Sequence, residues 1–141
     1  MGVVQKVLVT GANGFVGRAL CRRIQAEPDM HAVGAVRVAT TVDLGAAADG
    51  VSVVAVPPGL GADTDWAPVL RGIDALVHTA ARVHVMNDTS ADPLAEYRRV
   101  NVEGTLRLAR QAADAGVRRF VFVSSVSLRR CLARRPRATK T

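Results

Sequence analysis

Residues 7–17 constrain this chain more than any other stretch. Val7-Leu8-Val9-Thr10 is a short apolar run, and Gly11-Ala12-Asn13-Gly14-Phe15-Val16-Gly17 follows without a spacer. Arg18-Ala19-Leu20-Cys21-Arg22-Arg23-Ile24 then takes up helical periodicity. The order is strand, glycine turn, helix, and the glycines are spaced G-x-x-G-x-x-G rather than G-x-G-x-x-G. Gly11 can turn the chain sharply off the strand, Gly14 removes a side chain where a diphosphate would approach the backbone, and Gly17 lets the helix pack closely on the sheet. The helix start offers unpaired N–H groups and the positive end of its dipole to phosphate. Asn13 can hold the turn through its own side chain. A glycine turn without a ligand is the alternative reading.

The rest of the chain repeats the alternation of strand and helix. Glu27-Pro28-Asp29 breaks the first helix, and residues 31–37 read as a second strand. No acidic residue follows that strand to bind the adenosine ribose of NAD; Arg37 stands there instead. Arginine can pair with a 2′-phosphate, which favours NADP, whereas a solvated charge at a strand end is the plainer alternative. Residues 40–50 read as a poor helix or a loop, and residues 51–56 as a third strand that Pro57-Pro58 ends. A short helix over 65–70 follows, with Asp65 as its cap and Trp66, Val69 and Leu70 facing the sheet. Residues 73–78 read as the fourth strand, with His78 as a core residue at its end and Thr79-Ala80-Ala81 small enough for a ligand to lie against the backbone. Asp92-Pro93 starts a helix that Gly116 ends, and Gly104 within it permits close packing. Phe120-Val121-Phe122-Val123-Ser124-Ser125 is the fifth strand.

This order predicts an α/β fold: a Rossmann-like, doubly wound parallel sheet of about five strands, because parallel crossovers are right-handed. The ligand crevice then lies at the carboxyl ends of the strands, where Gly11, Ala80 and Ser125 arrive.

Composition agrees and narrows the classes. A chain of 141 residues, 49% of them hydrophobic, suits one domain with a real core. The expectation is a Rossmann-like domain over residues 1–128 and a basic tail over 129–141. Arg129, Arg130, Arg134, Arg135, Arg137 and Lys140 carry all but one unit of the net charge of +7. The body is thus nearly neutral, and nucleic acid is not the expected partner. No run is long enough to span a membrane and no secretory signal is visible. Cys21 and Cys131 form no metal pattern, so a reduced, cytoplasmic setting without a metal is expected.

Four motifs together identify a family. Thr10-Gly11-Ala12-Asn13-Gly14-Phe15-Val16-Gly17, His78-Thr79-Ala80-Ala81, Asn101-Val102-Glu103-Gly104-Thr105 and Phe122-Val123-Ser124-Ser125 occur in family order and at family spacing. Over residues 4–128 the chain resembles the extended short-chain dehydrogenase/reductases, in particular the NAD-dependent epimerase/dehydratase group acting on nucleotide sugars. The resemblance implies hydride exchange between a sugar carbon and the nicotinamide of NAD or NADP. It implies that Gly11, Gly14 and Gly17 form the pyrophosphate site, that Phe15 and Val16 open the helix over it, and that Ala80 and Ala81 line the nicotinamide side. Asn101 would be a structural and proton-relay asparagine, and Ser125 the hydroxyl that bonds the reacting sugar oxygen. Leu60 counts among the cofactor-contacting residues, beside Gly59, where the family commonly places an aspartate against the adenine.

The family's Y-x-x-x-K pair is absent. Tyr97 precedes the asparagine motif and has no such lysine, and Lys140 has no tyrosine. A truncated or frame-shifted derivative lacking the later strands and the sugar-binding part is therefore expected, inactive alone and prone to self-association through the fifth strand. A native basic tail is the alternative, as is a non-catalytic NADP-binding sensor.

Overall fold

The computed structural model describes residues 2–37, 49–56, 59–82 and 91–124. Five strands form one sheet in the order β3-β2-β1-β4-β5. They are β1 Gln5–Thr10, β2 Met30–Val36, β3 Ser52–Ala55, β4 Ala75–His78 and β5 Arg119–Phe122. All pairings are parallel, with Thr10 beside Ala35 on one flank and beside His78 on the other. The helices are α1 Phe15–Gln25, α2 Ala67–Leu70, α3 Pro93–Arg98 and α4 Gly104–Asp114.

β1 is central, so its last four side chains are buried whichever way they point. That is why Val7-Leu8-Val9 is an unbroken apolar run. Alternation then divides the core in two. Leu8 joins Val33, Leu76, Trp66, Leu70, Leu108 and Ala112 beneath α2 and α4. Val7 and Val9 join Ala32, Val36, Cys21 and Ile24 beneath α1. The expected packing of Trp66, Val69 and Leu70 on the sheet is observed. Asp65 accepts the Ala67 N–H at 3.0 Å, but the expected cap position falls to Trp66, which makes no side-chain cap bond, so Asp65 acts from one residue further out.

The long helix expected from Asp92 to Gly116 is observed, with one π-helical turn inside it. Asp92 accepts the Ala95 N–H at 3.0 Å and opens α3. Gly116, at φ +81°, closes α4 with its N–H on the Ala113 carbonyl at 3.0 Å. Between them Arg99–Glu103 forms a π-helical turn. Gly104 explains the close approach: a Cβ there would lie 3.0 Å from the Gly61 amide nitrogen and 3.1 Å from Leu60 Cγ. The helix rests on the 59–61 loop, and the added residue of a π turn adjusts the rotation of the helix over that contact.

The winding reverses between β1 and β4. The chain runs outward from β1 through β2 to β3, then returns to lay β4 on the other side of β1. Their carboxyl ends therefore flank a crevice at the switch point. Strand ends shift by one to three residues from the expected ones, most at β5, which ends at Phe122. Residues 40–48 of the expected loop, His84, Ser125 and the 129–141 tail lie outside the described residues.

Candidate cofactor crevice

The glycine turn is built by its own backbone. Gly11 has φ +66°, a conformation that side chains disfavour, and a Cβ there would lie 2.9 Å from the Ala80 nitrogen. Gly17 faces back into the turn: its Cβ would fall onto the Gly11 carbonyl oxygen and 2.9 Å from Ala12 Cα. Gly14 differs. Its backbone is extended, and a Cβ would meet only the Gly11 oxygen, at 3.2 Å. A Cβ at Gly14 would thus be tight against one backbone oxygen without the outright overlap seen at Gly17, and its absence also leaves room on the crevice side.

The turn closes with the Gly14 N–H on the Gly11 carbonyl at 2.9 Å. This corrects the expectation for Asn13, whose side chain stands exposed at the crevice rim and makes no turn-holding bond among the described residues. A backbone bond supplies the closure, so the amide is left to face the crevice. α1 then begins with Gly14 as its cap, no side-chain cap bond and no acidic residue in the first turn. Its first N–H groups and positive dipole end are left for an anion.

Gly11, Asn13, Gly14, Phe15, Val16, Gly17, Arg37, Leu60, Ala80 and Ala81 all line one crevice of about 600 Å³. Phe15 is 95% exposed, with its ring free at the mouth. Val36, Val56, Leu60 and Trp66 supply an apolar wall at the far end from Ala80. Arg37 is exposed just past β2, with its aliphatic part 3.4 Å from where a Gly59 Cβ would be. Gly59 itself has φ +111°, and its carbonyl accepts the Thr64 hydroxyl. The position where the family commonly has an aspartate thus takes a backbone form suited to glycine.

Asn101 is placed differently. It sits in the π turn and reaches across to the segment after β4. Its Nδ2 donates to the Arg82 carbonyl at 2.9 Å, and its Oδ1 accepts the Arg82 N–H at 2.8 Å. Both side-chain groups are thus committed to one residue's backbone, so Asn101 fastens the chain that continues from Ala81. Ser125 lies outside the described residues.

His78 is buried, as expected for the end of an inner strand. Its ring stacks on Phe122 with centroids 5.8 Å apart. Desolvation by burial pulls its pKa down to about 4. Several other crevice residues had no sequence-based assignment to the site, among them Thr10, Trp66, Glu96 and Arg99. Thr10 had a signal, a hydroxyl closing an apolar strand. Glu96 and Arg99 form a two-pronged ion pair with bonds of 2.9 and 2.6 Å. Their spacing was legible, but the face they occupy depends on the π turn.

The comparisons with known proteins follow the same outline. The model of the NAD dependent epimerase/dehydratase family matches residues 7–136. A UDP-glucose 4-epimerase of Vibrio cholerae is 40% identical over 124 residues, covering 88% of this chain and 36% of that protein. A 3-beta-hydroxysteroid dehydrogenase of Mycolicibacterium neoaurum is 35% identical over 128 residues, covering 87% of this chain and 32% of that protein. The crystal structure of UDP-glucuronic acid 4-epimerase from Bacillus cereus in complex with NAD superposes with a TM-score of 0.65 at 22% identity. It covers 87% of this chain and 41% of that one, and at this identity it speaks for the fold. The chain spans about a third of the length of the curated relatives it matches.

Proposed function

The chain belongs to the NAD dependent epimerase/dehydratase family, and on that premise we propose that it is the NAD(P)-binding portion of an enzyme that modifies a nucleotide sugar by hydride transfer. One observation carries the reading. The Gly11–Gly14–Gly17 turn opens an uncapped, acid-free helix start into a crevice at the switch point of a parallel sheet. The residues present fit a dinucleotide. Gly14 leaves space for a pyrophosphate beside free N–H groups, the wall of Val36, Val56, Leu60 and Trp66 suits an adenine, and Ala80 and Ala81 leave a flat floor for the other end. The cofactor, when bound, supplies the hydride acceptor or donor. The protein residues bind and orient it. Asn101 fixes the segment after Ala81, and its proton-relay role and the substrate contact of Ser125 are carried over from the family resemblance. The substrate is a nucleotide sugar on the same ground, and hydride transfer would oxidise or reduce one of its carbinol carbons.

A second reading is a cofactor-binding module without turnover. Arg37 supports it in one respect: it is an exposed cation at the ribose end of the crevice with no carboxylate at that strand end, which favours NADP.

Titration with NADH and NADPH, followed by nicotinamide fluorescence, tests the proposal. Saturable micromolar binding is expected, with NADPH the tighter ligand and the preference reversed in Arg37→Asp. Gly14→Leu should abolish binding yet keep the fold, because the position has no strained φ and only one close neighbour. A folded wild-type chain that binds neither dinucleotide overturns the reading.

A further inference from the structure

A buried line of polar groups crosses the sheet end behind the crevice. Thr10, the last residue of β1, holds three partners with one hydroxyl. Its oxygen accepts the N–H of Thr79 and the N–H of Ala80, each at 3.2 Å. The same oxygen lies 2.7 Å from Nδ1 of His78. On the other side of the ring, Nε2 lies 2.9 Å from the Thr105 hydroxyl oxygen of α4. Thr79 returns a bond of its own, donating its hydroxyl to the Thr10 carbonyl at 2.6 Å.

Counting donors assigns every proton in this line. A hydroxyl has one proton and two lone pairs. The Thr79 and Ala80 amides take both lone pairs of Thr10, so the hydroxyl proton must point at His78 Nδ1. Nδ1 is then an acceptor, the neutral ring carries its proton on Nε2, and the Thr105 oxygen accepts that proton. The other tautomer would set an N–H against an O–H, or turn the Thr10 proton toward the two amides. An imidazolium would do the same, and the buried, uncharged surroundings disfavour it further.

We infer that His78, as its Nε2-protonated tautomer, is a positioning residue that orients the Thr10 hydroxyl so that Thr10 holds the Thr79–Ala80 backbone against Gly11. The tolerance there is small: a Cβ on Gly11 would come within 2.9 Å of the Ala80 nitrogen and 3.0 Å of Thr79 Oγ1. The floor of the crevice is thereby set from behind, by a ring that does not line it, and Thr105 ties that ring to α4. The inference rests on the cofactor reading above, in which Ala80 and Ala81 face the nicotinamide half.

Two measurements on the whole chain decide it. Long-range proton–nitrogen correlation of the 15N-labelled chain near neutral pH should show His78 with a protonated Nε2 and a bare Nδ1. A protonated Nδ1 overturns the inference. Binding is then compared between NADPH and ADP, which lacks the nicotinamide half. Thr10→Val keeps the shape and removes the hydroxyl. It should weaken NADPH about tenfold, the scale of a lost hydrogen bond, and ADP by less than about twofold. Thr10→Ser should restore the wild-type value. His78→Asn can offer an acceptor in the place of Nδ1 and should stay closer to wild type than His78→Leu. Equal loss for both ligands, or no loss in a folded Thr10→Val chain, overturns the inference. A wild-type chain that binds no dinucleotide would sink the cofactor reading alone. The tautomer, and the shift of the Thr79 and Ala80 amide signals in Thr10→Val, would still decide the positioning. Should His78→Leu fail to fold, Thr10→Val carries the same test.

Discussion

The two flanks of the sheet are unequal. On the β1–β2 flank, the last four residues of β1 and the last five of β2 are buried. α1 covers one face and the α2–α4 layer covers the other. On the β4–β5 flank, β4 alternates between buried and half-buried residues, and no residue of β5 is buried. α4 covers one face there, where Leu108 and Phe120 join the core. On the opposite face Val121 sits beside Val77 and remains 50% exposed. Phe122 and Val123 are similarly open. The glycine turn stands on the flank whose faces are both covered, and glycine takes the positive φ of Gly11 without strain. Among the described residues β5 is an edge strand and carries exposed apolar side chains, and we predict that any self-association begins there.

The largest expected difference lies in the core substitutions. Leu8→Ala, at a position with no exposure, should cost roughly 2–5 kcal/mol by urea unfolding, as buried leucine truncations do. Val121→Ala should cost under about 1 kcal/mol, because little area leaves water there. Similar losses at both positions would break the comparison.

The second effect belongs to His78, which joins the flanks. Its folded pKa of about 4 lies below the ordinary value of 6.5. The unfolded chain therefore binds the extra proton between these values, and stability rises with pH across that window. The stabilisation is complete above about pH 6.5 and is lost as pH falls toward 4, by roughly 3 kcal/mol in all. Urea unfolding at a series of pH values should show this slope. His78→Gln should flatten it, and an unchanged slope would detach the effect from this residue.

The smallest effect sharpens the edge. Val121→Lys should shift stability by under about 0.5 kcal/mol. It should nonetheless lower the apparent mass by light scattering at high concentration, since a charge on an edge strand opposes pairing. A wild-type chain that is already monomeric at that concentration would remove β5 as an association surface.

Much of the site was legible because it is local. The pyrophosphate turn is a run of consecutive residues, and each glycine answers a nearby constraint, whether a positive φ at Gly11 or the Gly11 oxygen at Gly17. Arg37 and Leu60 could be placed because strand ends converge in a parallel sheet. The Asn13 expectation failed because backbone and side chain compete to close a tight turn, and composition does not say which prevails. The helix over 92–116 was legible, but the π turn inside it was not. Propensity carries one helix; the π turn over Arg99–Glu103 lies just before the contact of Gly104 with the 59–61 loop, and no local pattern announces it.

By itself, then, the sequence determined the alternation of strand and helix, the glycine turn, the two apolar faces of β1 and the helix ends at Asp92 and Gly116. These follow from periodicity and turn chemistry over a few residues. Only the tertiary structure decided that Thr10, His78 and Thr105 form one hydrogen-bonded line, that Asn101 binds the backbone of Arg82, and that the two flanks of the sheet differ in burial. Thr10 and His78 stand 68 residues apart in the chain. They meet because the crossover returns β4 to the side of β1, and because the register sets Thr10 opposite His78. Strand order and register arise from packing the whole sheet against its helices, and no short stretch of sequence carries them.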